Sequence, residues 1–182
     1  SLPFPSRGWG LGLELGSGVS LGAVNQPYVR WLAKGLSFWP LGSKNGRLAV
    51  RASMGSVVSQ DTRYLPTTQL FRTGSDNTVR GYGVNSIGVD LGQGQIGAGR
   101  YLSTGSVEWQ RPLRWNGQMT DWETAVFADA GAVANELHWL RTQTSYGIGA
   151  RWRSPVGPVR MDLAHAQALQ KWRLHLSVGF TF

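Results

Sequence analysis

The chain has 182 residues, the length of about one domain. Hydrophobic residues make up 41%, but charged residues only 15% against a usual ~25%, while Gly reaches 25 and Trp nine. That balance points away from helices, and no stretch approaches the about 18 consecutive apolar residues of a spanning helix. A β-barrel stays open, because alternating strands give a weak hydropathy signal. The net charge of +8 raises nucleic acid as a partner. No run of Lys or Arg exceeds two residues, and the cations are spread over strand-like segments, so no nucleic acid is expected. Zero Cys removes disulfides and thiolate metal sites. With neither an initiator Met nor a signal segment, the sequence is expected to begin inside something larger or after processing.

Taken in order, Trp9, Leu11, Leu13 and Leu15 alternate with Gly10, Gly12, Glu14 and Gly16, the period of two that marks a strand. Gly18-Val19-Ser20-Leu21-Gly22 matches a nucleophile-elbow spacing, but that motif needs a strand–turn–helix setting. Here Asn25, Gln26 and Pro27 follow at once. Tyr28–Trp39 alternates poorly: Arg30 and Lys34 share a face with Leu32, Leu36 and Phe38, which leaves its facing open. After the short turn Pro40–Gly46, Leu48, Val50, Ala52 and Met54 oppose Arg47, Ala49, Arg51 and Ser53.

Ser59–Arg100 then links two strands, and a link that long is usually functional or disordered. Its middle, Gly74-Ser75-Asp76-Asn77-Thr78-Val79-Arg80-Gly81-Tyr82, sets glycines among specific polar residues, which argues against plain disorder. Gly92-Gln93-Gly94-Gln95-Ile96-Gly97 matches a dinucleotide fingerprint but is read as having no strand before it and no helix after it.

Beyond the loop, Tyr101–Leu113 sets Val107 and Trp109 against Glu108 and Gln110. Arg111–Asp121 reads as a link longer than a tight turn. On the strand Thr124–Gly131, Phe127, Asp129 and Gly131 share a face opposite Val126 and Ala128. After the link Ala132–Thr144, Tyr146, Ile148, Ala150 and Trp152 oppose Gly147, Gly149, Arg151 and Arg153. The short turn Ser154–Pro158 leads to Val159, Met161 and Leu163, opposite Arg160 and Asp162. The end is the clearest strand: Trp172, Leu174, Leu176, Val178, Phe180 and Phe182 lie on one face, Arg173, His175, Ser177, Gly179 and Thr181 on the other.

The result is an all-β, antiparallel chain of eight strands. Two readings fit: a soluble core rich in aromatics, or a transmembrane barrel whose apolar faces meet lipid. In lipid, a one-residue slip would expose Arg151 and Arg153 at about 2–4 kcal/mol each near the midplane, so parity is enforced. Short turns at one end, long links at the other, and Trp9, Trp39, Trp109, Trp152 and Trp172 at or near strand ends favour the barrel. That arrangement puts the C-terminus in the periplasm and Ser59–Arg100 outside the cell. Eight strands close a small barrel or form half of a larger one. His138, His165 and His175 show neither the spacing nor the carboxylate neighbours of a zinc site. No metal, cofactor or catalytic residue is expected, and His175 is expected to line the interior.

Set in this frame, the sequence resembles the bacterial surface antigen (D15) family of outer-membrane assembly factors, the superfamily of BamA and TamA. Val79-Arg80-Gly81-Tyr82 is similar to the family's VRG[FY] loop tip, preceded by the acidic Asp76. Phe127-Ala128-Asp129-Ala130-Gly131 is similar to its [FG]xDxG strand motif, in the same order after the loop. Gly149–Ala164 is most like the TamA branch, and the alternating end on Phe182 is like a C-terminal β-signal. The resemblance covers Gln69–Phe182; the first three strands match in pattern alone.

It implies that residues 1–182 are the C-terminal half of a sixteen-stranded barrel, with POTRA domains and N-terminal strands absent from this sequence. It implies a loop-tip lock of Asp76, Arg80, Gly81 and Tyr82, with Glu108, Phe127, Asp129 and Gly131 as lumenal partners. The final strand, Trp172–Phe182, becomes the seam and template. The implied activity is non-enzymatic: helping other outer-membrane proteins, such as autotransporters, to insert or translocate. Lipid bilayer, client proteins and a TamB-like periplasm-spanning protein are the implied partners. A two-partner-secretion or passive anion-favouring pore is the alternative.

Overall fold

A computed structural model describes residues 7–22, 25–60, 65–75 and 78–179. In chain order the strands are β1 (Gly8–Ser20), β2 (Gln26–Pro40), β3 (Arg47–Ser59), β4 (Val89–Gly92), β5 (Gln95–Gly97), β6 (Tyr101–Trp115), β7 (Gln118–Ala134), β8 (Gln143–Ser154), β9 (Gly157–Ala166) and β10 (Lys171–Val178). Eight of them form one antiparallel sheet in the order β1-β2-β3-β6-β7-β8-β9-β10, with β1 and β10 at its edges. The short hairpin β4–β5 sits within the link from β3 to β6. Among the described residues there is no α-helix, only 3-10 turns at Thr67–Gln69 and Leu137–Trp139.

The sheet is inside-out relative to a soluble sandwich. Its apolar face is bare: Ile148 is 59% and Leu174 62% exposed, with Val126, Leu176 and Val178 beside them. The polar face is the buried one, carrying Arg47, Glu108, Glu123, Asp129, Arg151 and Asp162. The long link folds back over that face and covers it. A cluster of Leu32, Val57, Leu65, Phe71 and Val133 joins link and sheet. The link is strapped by isolated bridges Phe71–Gly99 and Thr73–Ile87, and Arg100 donates to the carbonyls of Val57 and Ser59. This cluster settles the facing of β2: Leu32 and Arg30 point inward, Arg30 lying 4.6 Å from the Phe71 ring centre, while Val29 and Trp39 point out.

The turns at one end, residues 41–46, 116–117 and 155–156, are short, and β10 finishes at that end. Trp9, Trp39, Trp115, Trp122 and Trp152 are exposed on the outer face toward it, with Trp122 and Trp152 stacked at 5.7 Å. The opposite end carries the long link and the β7–β8 connection.

Three sequence expectations are corrected. Arg111–Asp121 is not a long link: β6 runs to Trp115 and β7 starts at Gln118, with a register shift near Leu113. The turn is Asn116-Gly117, both with positive φ (47° and 77°), as a two-residue hairpin twisted with its strands requires. The Gly92–Gly97 segment does follow a strand, since Gly92 ends β4 and Gln93-Gly94 form the hairpin turn into β5. A hairpin with no helix after it presents no phosphate cradle. His138 does have a carboxylate neighbour, Glu136 at 3.3 Å. Among the described residues, however, no three metal-ligating side chains meet. Gly18–Ser20 of the elbow-like match end β1, and residues 23–24 beyond lie outside the described residues.

Candidate functional site

The tip of the long link is built to enter the polar side of the sheet. Gly74 (φ 105°) and Gly81 (φ 89°) adopt backbone that L side chains rarely take. A Cβ on Gly74 would sit 2.7 Å from the Gly83 carbonyl oxygen, so the two limbs of the tip run in close contact. The Gly74 N–H donates to Thr78 Oγ1 at 3.1 Å, two residues before the arginine. Val79, Tyr82 and Ile87 then pack with Ala166 of β9 as a small apolar cluster.

Arg80 is fully buried (0% exposed) and its donors are met from several strands. Its Nε and Nη2 bond Asp129 of β7 in bidentate fashion at 2.7 and 2.9 Å, and its backbone N–H donates to the same carboxylate at 3.0 Å. Nη1 reaches Glu108 of β6 at 2.5 Å and Asp162 of β9 at 3.3 Å. Ser106 accepts from Nη2 at 3.3 Å and itself donates to Asp129 at 2.6 Å. The guanidinium carbon lies 3.4 Å from the Phe127 ring centre, a cation–π arrangement that desolvation strengthens. Burial alone opposes the Arg80 charge; Asp129 first, then Glu108 and Asp162, more than reverse this and raise its pKa. A planar, permanently charged fork is what such a multidentate site needs.

The spacing of the Phe127-x-Asp129-x-Gly131 run now has a physical reason. Alternate residues of β7 share the inner face, so the ring, the carboxylate and the bare glycine line up under the tip. A Cβ on Gly131 would lie 2.6 Å from Val79 Cγ2. Tyr82 seals the far side: its hydroxyl donates to the Thr144 carbonyl at 3.2 Å and accepts from the Ala168 N–H at 3.3 Å. Asp76, Phe180 and Phe182 lie outside the described residues. Trp172, Leu174, Leu176 and Val178 line the outer face of β10, the edge strand.

Several partners escaped the sequence reading. Arg151 of β8 bridges Asp162 at 2.6 Å and Glu108 at 2.8 Å, so these two acids of the site also face a cation of the wall. Gly149 makes room for that bridge, because a Cβ there would clash with both Asp162 and Arg151. A second buried pair, Arg47 with Glu123 at 2.8 Å, extends the network through Gln110, which donates to Glu108 at 2.6 Å. Inward parity was visible for Arg47, Gln110, Arg151 and Asp162, but not for Glu123, which precedes the expected strand Thr124–Gly131; which acid meets which arginine depends on strand stagger, which alternation does not encode.

Gly81→Ala tests the tip directly. The new methyl would need φ near +89° and would press on the Ala166 backbone nitrogen at 3.0 Å. We expect about 1–3 kcal/mol of lost stability from the strained backbone. Faster proteolysis within residues 60–100 should accompany it, measured on the protein refolded into vesicles.

An apolar outer face, a polar inner face and a loop docked on that inner face define a piece of a transmembrane β-barrel of the outer membrane. The chain belongs to the Omp85 superfamily: the family profile, Omp85 superfamily domain, matches residues 1–182. Its fold is similar to that of BamA from Haemophilus ducreyi lacking POTRA domains 1–3, with a TM-score of 0.69 at 19% identity. The match covers 96% of this chain and 38% of that one, so the chain spans little over a third of that protein's length.

Proposed function

We propose that the chain is the C-terminal half of a sixteen-stranded, TamA-like barrel that helps other outer-membrane proteins, such as autotransporters, to insert or translocate. The observation that carries this reading is the loop tip: Arg80 buried on Asp129, Glu108 and Asp162 in a chain of this superfamily. The role is mechanical, with no catalytic step. The docked loop braces β6, β7 and β9, so that opening is confined to the sheet's edge at β10. An edge strand offers unpaired N–H and C=O groups to an incoming client strand, and the apolar face of Trp172–Val178 sits against lipid. The short turns and the end of β10 face the periplasm, where a TamB-like partner would deliver clients; the link over residues 60–100 faces outward.

Reconstitution tests this. Full-length protein in phospholipid vesicles is expected to speed insertion of an unfolded client barrel over protein-free vesicles. A disulfide joining Ser177→Cys to a cysteine on the strand that closes the barrel should abolish the gain and restore it on reduction. Undiminished insertion with the seam locked would overturn the mechanism. Anion-selective conductance without client insertion would support the pore instead.

A further inference from the structure

His175 stands on the inner face of β10, in register with Asp162 of β9. Its Nε2 accepts the Gly81 N–H at 2.8 Å. Accepting needs a lone pair on Nε2, so this bond belongs to the neutral ring with its proton on Nδ1; in the imidazolium both nitrogens are donors. Consecutive residues of the tip therefore grip different parts of the wall. Arg80 holds β6, β7 and β9, whereas Gly81 holds β10. Among the described residues, β10 is the sheet's edge, paired with β9.

Among the described residues, charges stand around the ring on several neighbouring elements. Asp162 of β9 faces it, with Arg160 of the same strand 3.5 Å from that carboxylate. Arg173 shares the inner face of β10 and lies against Gly83, its nearest nitrogen 3.2 Å from where a Cβ would stand. Arg80 of the loop and Arg151 of β8 bond Asp162 from the other side, and Glu108 of β6 lies beyond them. Among the described residues, a charged His175 stands across from the Asp162 carboxylate, and its Nε2 no longer accepts from Gly81.

We propose that His175 is a positioning residue that couples the loop tip to the edge strand and lets go of it on protonation. Neutral, it ties Gly81 to β10. Protonated, it presents a donor to a donor, turns toward Asp162, and frees the edge strand from the tip while Arg80 stays seated. Histidine is the side chain whose charge ordinarily changes between pH 5 and 8. The sign is fixed by the acceptor role: coupling is present at the higher pH and lost as pH falls. This goes beyond the proposed function, and its readout does not involve client insertion.

The test is hydrogen–deuterium exchange on the full-length protein in phospholipid vesicles, following residues 78–84 and correcting for the intrinsic pH dependence of exchange. From pH 8 to pH 5 the protection of this segment should fall roughly two- to tenfold, the effect of losing one ordinary hydrogen bond. Protection of β7 should not change. His175→Gln, whose amide oxygen accepts but does not titrate, should keep the protection at both values. His175→Leu should lack it at both. A flat profile in the unmodified protein, an equal fall in His175→Gln, or full protection in His175→Leu would each overturn the proposal.

Discussion

Arg80→Ala and Asp129→Ala should each destabilise the folded barrel by about 3–5 kcal/mol, because each leaves a buried charge without its main partner. Both side chains are fully buried, so water cannot take over the lost contacts. The double variant should lose clearly less than the sum of the two, with a coupling of about 1–3 kcal/mol for residues in direct contact. Arg80→Lys keeps the charge but gives up the fork that meets Asp129 through both Nε and Nη2, and should fall between. Urea titration of the protein refolded in vesicles reads all four. Strictly additive losses would mean that Arg80 and Asp129 act separately, and the loop would then need another anchor. The wall limits the damage: Arg151 still faces Glu108 and Asp162 when Arg80 is gone, so the barrel should loosen and stay inserted.

Much of this architecture is legible in the alternation of residues, because the two faces of a transmembrane sheet differ so sharply. Ile148 and Arg151 differ by an odd number of positions and end on opposite faces, one bare and one buried. The same parity puts Glu108 and Asp129 on the side where Arg80 is found. β2 resists the rule for a specific reason. Its inner face meets a folded loop, so it carries Leu32 against Phe71 as well as Arg30, and polarity no longer marks the inside. The Asn116-Gly117 turn is a strong hairpin signal, obscured because Arg111 interrupts the apolar positions Val107, Trp109, Leu113 and Trp115. Asp162 sat on the right face without any local sign that it would meet Arg80, 82 positions away. The bond from Gly81 to His175 was equally hidden, since a backbone donor leaves no trace in the sequence.

Ile148→Arg should cost about 2–4 kcal/mol and sharply reduce insertion into vesicles, because it puts a guanidinium near the middle of the lipid-facing surface. Ile148 lies midway along β8, flanked across the sheet by Val126 and Leu163, all three exposed. If that face met water, replacing an exposed Ile with Arg would change stability by less than about 0.5 kcal/mol. The two environments thus predict outcomes several-fold apart for one substitution. Depth supplies the internal control. Trp152 lies on the same face of the same strand, near the short-turn end and stacked on Trp122. There an arginine can reach the headgroups, so Trp152→Arg should cost only about 0–1 kcal/mol from lipid exposure, plus the lost stacking. A mid-strand penalty clearly larger than the one at the end requires a bilayer of finite thickness around the sheet. Equal and small penalties at both positions would remove the membrane from the account, and with it the reason for an inside-out sheet.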